Sequence, residues 1–225
     1  QVLPESASQW DAAQRASEER LEDFSGEMQF RRRDGQIRWL RAHSRPRTLA
    51  DGQPVWDGIA MDVTAQKETE QQLLKLAQAV EQSPEAIVIA NVDAEIEYVN
   101  AAFLRVTGFQ REEVLGQNPR VLQSGKTPAG TYDTLWGALT RGEIWKGEFC
   151  NRRKDGSEFI ELAIIAPLRQ PDGRITHYVA VKEDISEQKR VAEELERHRL
   201  HLEELVESRT QELRAPVGET SEAEF

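Results

Sequence analysis

The sequence predicts an α+β protein in which one type of domain occurs twice, with the first copy incomplete. Three landmarks recur at an offset of 121 or 122 residues: Asp34-Gly35, Asp51-Gly52 and Asp62-Val63-Thr64 match Asp155-Gly156, Asp172-Gly173 and Asp184-Ile185-Ser186. An Asp-Gly pair between two β-rich runs indicates a hairpin turn, because glycine adopts the positive φ that such turns need. The repeat therefore predicts antiparallel strands in both copies, each set followed by a helix.

The composition restricts the class of protein. A formal net charge of −11 over 225 residues argues against a nucleic-acid partner. No apolar run approaches the ~18 residues of a membrane helix, so we expect a cytoplasmic location and no direct membrane contact. The chain begins at Gln1 rather than Met, which indicates a piece of a longer protein, and the rest of that protein could carry membrane segments. The single cysteine, Cys150, excludes an internal disulfide and a multi-thiolate metal site, and we expect no metal.

The second copy, at 83–185, is the complete one. Its β-rich runs and helical patterns predict strands at 86–90 and 96–99, short helices between 100 and 115, a helix at 131–140, and strands at 145–153, 158–168 and 174–183. Asn100 is placed to cap the first short helix. This order predicts an antiparallel sheet with the helices inserted between its second and third strands.

The first copy, at 1–64, has only the last part of this order. A polar helix is predicted at 9–23 and strands at 27–33, 37–46 and 54–62. An open sheet edge of this kind invites pairing. Either the domain is cut within the chain, or packing against another chain supplies the missing edge.

Two helices follow the two copies, and Thr64 and Ser186 are natural N-caps for them. The linker helix at 65–82 carries one apolar stripe: Leu73, Leu76, Ala77 and Val80. The helix at 186–213 has a heptad-like seam: Val191, Leu195, His198, Leu202, Leu205, Arg209 and Glu212. A solvated charged helix is the simpler interpretation, but a helix this long needs a partner, so we expect a parallel coiled coil in a homodimer. The tail at 214–225 is predicted to be disordered.

The order of elements and several motifs resemble the PAS/PAC sensor family. The motifs are Ile96–Asn100, Gly108-Phe109, Gly116-Gln117-Asn118, the run from Asn151 to Gly156, Ala166-Pro167, and Asp184-Ile185-Ser186. The resemblance implies tandem PAS folds, each a five-stranded antiparallel sheet with helices on one face that enclose a cavity. It also implies that Asp184, Ile185 and Ser186, and Asp62 and Thr64 in the first copy, relay signals to the following helix.

Within the family, the segment from Asn118 to Pro167 is similar to the flavin-binding PAS domains of NifL- and MmoS-type redox regulators. The similarity is carried by Gly125-Lys126-Thr127-Pro128, Leu135-Trp136-Gly137, Trp145-Lys146-Gly147 and the run Asn151–Asp155. It implies a bound FAD or FMN whose ring contacts Trp136 and Asn151. Each has a simpler interpretation, since a Trp in an apolar helix position is more often core. A haem is not expected, because the 131–140 helix contains no histidine.

The motif Asn118-Pro119-Arg120-Val121-Leu122-Gln123 resembles the Asn-Cys-Arg-Phe-Leu-Gln motif of light-sensing PAS domains, which adds Asn118 and Gln123 to the candidate flavin contacts. Asn118, which precedes a proline, can equally be a turn residue. Pro119 replaces the reactive cysteine, and Cys150 neighbours Asn151 on a strand and so faces the other way. The sequence therefore excludes light-driven thiol adduct chemistry.

Glu161 and Lys182 stand where those photoreceptors carry a second flavin-binding Asn and a Gln. A hairpin turning at Asp172-Gly173 places Glu161 roughly opposite Lys182. The pair is either a cross-strand ion pair of structural value or a charged pair that responds to reduction of the ring.

Strand periodicity supports the same cavity. Trp145, Gly147, Phe149 and Asn151 share one face of their strand, which offers aromatic bulk, a gap and an amide. The first copy has Phe30 at the position of Asn151, and we expect Trp39 and Trp56 to fill its cavity. Flavin binding is therefore predicted for the second copy alone.

The predicted function is the sensory region of a bacterial signalling protein, with a flavin reporting redox state or energy. The segment from Leu202 to Thr210 resembles linkers that lead into histidine kinases, and a diguanylate cyclase is the second candidate output. We expect no catalytic activity from these residues themselves. The alternative is a ligand-free PAS module that dimerises and spaces its neighbours.

Overall fold

The computed structural model describes residues 3–214, so the disordered tail predicted at 214–225 lies outside the described residues from position 215 onward. The chain divides after Ala79 into two compact units. Within the described part, none of the helices combines the length and apolar character that a membrane span requires.

The first unit is a three-stranded antiparallel sheet with strand order β1-β2-β3. Its elements are α1 (Pro4–Arg20), β1 (Phe24–Arg31), β2 (Ile37–Thr48), β3 (Pro54–Asp62) and α2 (Thr64–Glu81). Helix α2 ends two residues past the division, so Val80 and Glu81 belong to the second unit. The ring of Trp10 in α1 meets the ring of Phe24 edge-on at 4.8 Å. Helix α1 therefore lies on one face of this sheet, at the end where β1 begins.

The second unit is a five-stranded antiparallel sheet, as the resemblance implied, and its strand order is β5-β4-β8-β7-β6. Its elements are β4 (Ala86–Asn91), β5 (Ile96–Val99), α3 (Ala101–Thr107), α4 (Arg111–Val114), a 3₁₀ helix (Pro119–Leu122), α5 (Ala129–Arg141), β6 (Trp145–Arg152), β7 (Glu158–Arg169), β8 (Ile175–Asp184) and α6 (Ser186–Arg214). The face of this sheet that packs against α5 is its inner face.

The two units correspond element by element where both have elements. Helix α1 matches α5, since their last residues, Arg20 and Arg141, are 121 positions apart. Strands β1 to β3 match β6 to β8, and α2 matches α6. The described part of the first unit contains no counterpart of β4, β5, α3 or α4, so within the described residues this copy has only the last part of the order seen in the second unit.

All four Asp-Gly turns form as predicted. Each glycine has a φ between +84° and +89°, and each aspartate accepts a backbone N–H two residues further on. The four pairs are Asp34-Gly35, Asp51-Gly52, Asp155-Gly156 and Asp172-Gly173. A residue with a Cβ is strained at such a φ, so these turns fix the hairpins in both units.

Asn100 joins the first strands of the second unit to the helices. Its side-chain oxygen accepts the N–H of Phe103, which confirms the predicted cap, and also the N–H of Ile87. Its Nδ2 donates to the carbonyl oxygens of Val80 and Glu85. A fully buried amide needs all of these partners, so Asn100 fixes β4, α3 and the end of α2 together.

Two buried clusters form the core of the second unit and leave a cavity on the inner face. One cluster joins β4, β5 and α3, and the other joins α5, β6 and β7. In the second cluster the ring of Trp145 lies across Gly147, where an added Cβ would stand 2.3 Å from the indole. The gap that the sequence predicted at Gly147 is thus filled by Trp145. Along β6, Phe149 is the first residue that lines the cavity.

Two further predictions were wrong. Trp39 lies on the face of the first sheet opposite α1, with the Nζ of Lys67 5.5 Å from its ring centroid, so it does not fill a cavity. Thr64 and Ser186 do not cap their helices with their hydroxyls, because these oxygens accept N–H groups of a neighbouring strand. The apolar stripe of α2 does form, and Leu73 and Leu76 are exposed on it.

Candidate ligand-binding site

A cavity of about 380 Å³ lies in the second unit between the inner face of the sheet, α5 and the 3₁₀ helix. Its walls are mainly aliphatic and aromatic, and they include Val88, Leu135, Leu139, Phe149, Ile165 and Tyr178. The volume is within the ~300–1,000 Å³ that small-molecule sites usually have. The ring of Tyr132 stacks on that of Phe149 at 5.7 Å, which gives one wall a flat aromatic surface.

One end of the cavity is polar and is formed by Asn151, Glu161 and Lys182, here called the polar end. The Nζ of Lys182 donates to Oε1 of Glu161 at 2.6 Å, and Nδ2 of Asn151 donates to the same oxygen at 2.8 Å. Glu161 is 2% exposed and Lys182 7%. Asn151 and Lys182 line the cavity, and Glu161 supports both of them.

The contact between Glu161 and Lys182 was predicted, but the register that produces it was wrong. Glu161 pairs with Asp184 across the strands, and Lys182 pairs with Ala163. The two side chains therefore meet along a diagonal of the inner face. The Nζ of Lys182 also lies 5.8 Å from the centroid of the Phe149 ring, a distance at which the ring attracts a cation.

The wider rim of the cavity holds the other three predicted residues. Trp136 is 41% exposed and meets Tyr178 edge-on at 6.0 Å, so it is a rim residue and not a core residue. The side chain of Asn118 accepts the N–H of Arg120 at 3.1 Å and so caps the 3₁₀ helix, which supports its interpretation as a turn residue. Gln123 forms a β-bridge with Asn151. All three residues line the cavity.

Cys150 is not among the residues that line the cavity. It alternates with Phe149 and Asn151 along β6, and its backbone N–H and carbonyl bond to the hydroxyl of Thr127. The hydroxyl of Ser124 also donates to this carbonyl at 2.5 Å. These bonds tie the loop before α5 to the strand.

The predicted relay residues form the same arrangement in both units. The hydroxyl of Ser186 accepts the N–H of Ile160 at 2.8 Å and donates to Asp184 at 2.6 Å. The hydroxyl of Thr64 does the same with the N–H of Trp39 and with Asp62. The strand next to the last one of each sheet, β2 in the first unit and β7 in the second, is thereby bonded to the first residue of the helix that leaves the sheet.

Asp184 has a second partner in the hairpin between β6 and β7. Nη2 of Arg153 donates to it at 2.6 Å, and the guanidinium lies 4.4 Å from the centroid of the buried Phe159 ring. In the first unit, the hydrogen bonds from Thr64 lower the pKa of Asp62, and the charges of Arg38 and Arg32 add to this effect. The carboxylate of Asp62 is therefore held in the charged form.

Sequence reasoning missed a second contact between sheet and helix. Nζ of Lys67 lies 2.8 Å from Glu27 in the first unit, and Nζ of Lys189 lies 2.6 Å from Glu148 in the second. The repeat itself carries this contact, because Gly26-Glu27 recurs as Gly147-Glu148 and Gln66-Lys67 recurs as Gln188-Lys189. The offsets are those of the three original landmarks.

Comparison with known proteins identifies both units. Residues 84–187 match the family described as PAS domain, and residues 2–60 match the PAS fold. The chain belongs to the PAS family. Its second unit is a sensory PAS domain, which is not itself catalytic.

The PAS region is similar to parts of several longer regulators. A nitrogen fixation regulatory protein of Klebsiella oxytoca is 37% identical over 119 residues, which are 53% of this chain and 24% of the relative. The bacterioopsin transcriptional activator of Halobacterium salinarum is 33% identical over 133 residues, 58% of this chain and 20% of that protein. The chain thus spans about a quarter or less of these two relatives.

Among solved structures, an RNA-binding light-oxygen-voltage receptor covers 87% of this chain, and the match covers 87% of that receptor. Its TM-score is 0.51 at 16% identity, a similarity that supports the PAS fold and no more.

Within the PAS domain described above, the cavity suits a flat, largely apolar ligand with hydrogen-bonding groups along one edge.

Proposed function

We propose that the second PAS domain binds a flavin and reports its redox state. The observation that carries the proposal is a cavity lined mainly by apolar and aromatic residues, with the bonded group of Asn151, Glu161 and Lys182 at one end. An isoalloxazine ring is apolar over most of its area and has alternating N–H and C=O groups along its pyrimidine edge. Because Nδ2 of Asn151 is bonded to Glu161, its Oδ1 remains to accept an N–H, and Lys182 supplies an N–H donor. The residues present therefore fit a flavin.

The rim of the cavity favours FAD over FMN. Trp136 presents an exposed indole, which is a suitable surface for stacking a second aromatic ring such as adenine. Arg120 is the one arginine among the residues that line the cavity, so the rim offers little charge for a terminal phosphate. These features support a dinucleotide, with its ring in the cavity and its adenine at the rim.

The polar end also gives a way to respond to reduction. Reduction adds charge or a proton to the flavin edge, and Lys182 and Glu161 are two opposite charges that share one hydrogen bond there. A change in their shared bond alters the bond from Asn151 to the same carboxylate oxygen. Strands β6, β7 and β8 then carry the change to Asp184, Ile185 and Ser186 at the start of α6.

We further propose that this region belongs to a bacterial signalling protein, with a sensor histidine kinase as its output and a diguanylate cyclase as the alternative. The similarity to a nitrogen fixation regulatory protein supports a regulatory role. Helix α6 would pass the signal onward as a homodimer. A ligand-free dimerisation module is the competing proposal, and the exposed apolar residues of α6 fit either one.

The absorption spectrum of the purified chain tests the flavin. We expect flavin bands in the near-ultraviolet and the blue, and FAD as the molecule released on denaturation. Asn151→Leu should reduce flavin occupancy about tenfold or more, because Glu161 and the pyrimidine edge of the flavin each lose a hydrogen-bond partner. Cys150→Ser is the matched control, because Cys150 is next to Asn151 but faces away from the cavity. This variant should bind flavin as the parent chain does. A colourless protein that takes up no added FAD or FMN would favour the ligand-free module.

A further inference from the structure

We infer that Glu148 and Lys189 couple the cavity-facing strand β6 to the first turn of α6. The inference rests on the proposed function in one respect only: the bound flavin would be what displaces β6. The contact itself, and its coupling to the cavity face, are properties of the chain without a ligand.

The first observation is that the contact occurs twice. The glutamates are 121 positions apart and the lysines 122. In each unit the lysine is the residue whose backbone N–H closes the first helical turn, at 2.9 Å from the carbonyl oxygen of Val63 or Ile185. The strand thus holds the helix at the turn where it begins, and the contact is kept although neighbouring positions differ, such as Trp39 and Ile160 or Arg41 and Leu162.

The second observation is the position of Glu148 within β6. Phe149 and Asn151 line the cavity from the inner face, and Glu148 projects from the opposite face of the same strand toward Lys189. Glu148 and Phe149 are consecutive residues of β6, and Asn151 follows two positions later on the same strand. A shift of Phe149 or Asn151 therefore moves the carboxylate that holds α6.

The third observation is that the two contacts differ in strength. Glu27 also bonds Arg41 at 2.7 Å, and Lys67 lies over the ring of Trp39. Hydrogen bonds from Lys67 and then Arg41 lower the pKa of Glu27. The second unit has Leu162 and Ile160 at the positions of Arg41 and Trp39.

The side chains of the first contact are also less exposed than those of the second. The side chains of Lys67 and Glu27 are 24% and 30% exposed, against 39% and 47% for Lys189 and Glu148. The contact in the first unit thus has more partners and less exposure to solvent than the contact in the second unit. The second is therefore the contact that a change in the cavity can loosen.

Hydrogen exchange of the α6 amides, read from the intact chain without added flavin, tests the contact. Exposed ion pairs add little to global stability, so the effect should be local. We expect Glu148→Gln and Lys189→Met each to speed exchange in the first two turns of α6 about two- to fivefold, with the double variant no faster than either single one. High salt should remove the difference.

Glu158→Gln is the matched control. It breaks the exposed pair between Glu158 and Lys126, also 2.6 Å long, which does not touch α6. Its α6 exchange should equal that of the parent chain. The charge-exchanged variant, Glu148→Lys with Lys189→Glu, should restore slow exchange. Unchanged α6 exchange in Glu148→Gln would overturn the inference.

The coupling to the cavity is tested by a cycle with Asn151→Ala. This change should speed α6 exchange in the parent chain and have little further effect in the Glu148→Gln background. An equal effect of Asn151→Ala in both backgrounds would show that the cavity reaches α6 by another route, and would overturn the coupling. Failure of the flavin proposal appears separately, as a chain that binds no flavin while this cycle still shows coupling.

Discussion

At the scale of single residues, Lys182 and Glu161 are two opposite charges that the fold has removed from water. Breaking a buried ion pair leaves one charge uncompensated, which costs far more than the pair itself contributes. Lys182→Met should therefore lower the free energy of unfolding by ~3 kcal/mol or more, measured by urea denaturation of the full chain.

The companion variants separate this cost from lost packing. Glu161→Gln combined with Lys182→Met removes both charges and should recover most of the loss. Lys189→Met removes a lysine from an exposed pair and should cost under ~1 kcal/mol. A Lys182→Met chain that unfolds like the Lys189→Met chain would mean that the pair is hydrated in solution.

The sequence could predict which residues meet at the polar end, but not how they meet. Residue type and strand periodicity placed Asn151 on the cavity face, and the turn at Asp172-Gly173 placed Glu161 near Lys182. The predicted register was wrong by two positions, since a two-residue turn centred on Asp172-Gly173 would place residue 184, not 182, opposite Glu161. The structure reaches that pairing through a longer turn, which pairs Gln170 with Arg174, and an irregularity at Leu168/Arg169 that shifts the pairing by one residue. Bulges of this kind leave little trace in composition.

At the scale of elements, the start of each exit helix depends on a hydroxyl that serves the neighbouring strand. Ser186→Ala leaves the N–H of Ile160 without its acceptor, and Asp184 loses a donor. We expect a loss of ~1–2 kcal/mol in unfolding free energy, with faster exchange at the Ile160 amide. Ser186→Thr should retain the bond, because the first unit uses threonine at this position.

Ser157→Ala is the control for this prediction. Its hydroxyl donates to Asp155 at 2.6 Å, as that of Ser186 donates to Asp184, but in an exposed turn. Its removal should cost less than ~0.5 kcal/mol. If Ser157→Ala and Ser186→Ala were equally costly, the strand contact at Ile160 would have no special value.

The sequence could predict turns and strands, because these depend on residues that are close together in the chain. It could not predict the long-range contacts made by the residues at the start of a helix. The four Asp-Gly turns and the alternation of β6 follow from residues adjacent in sequence. The acceptor role of Ser186 depends on Ile160, a residue 26 positions earlier, and the contact between Glu148 and Lys189 spans 41 positions. Such partners become visible in sequence only when the repeat is searched for paired residues.

At the scale of the whole molecule, the duplication was predictable because its landmarks are turns, which depend on few residues. The difference between the two copies lies in the residues on the inner face of the sheet, and not in the turn residues that the two copies share. Phe30 and Leu40 occupy the positions of Asn151 and Glu161, so the first unit has no polar end. We therefore expect sensing chemistry in the second unit alone, whereas the contacts that attach the exit helix occur in both units.

The exposed seam of α6 predicts that the chain forms a dimer. Leu195 and Leu202 are 70% and 60% exposed on a helix that begins at Ser186. A seam of this kind is stable when a second copy covers it, so we expect a dimer at micromolar concentration. Leu202→Glu places two like charges in the seam and should weaken dimerisation at least tenfold, measured by sedimentation equilibrium.

Leu200→Glu distinguishes the seam from general hydrophobicity. Leu200 is 48% exposed on the same helix but lies off the heptad positions, so this variant should remain dimeric. Loss of the dimer in both variants would point to nonspecific association of the apolar helix surface. A parent chain that is monomeric throughout the range would remove α6 as the dimer contact, and would leave the attachment of its first turn to β6 as its role within a single chain.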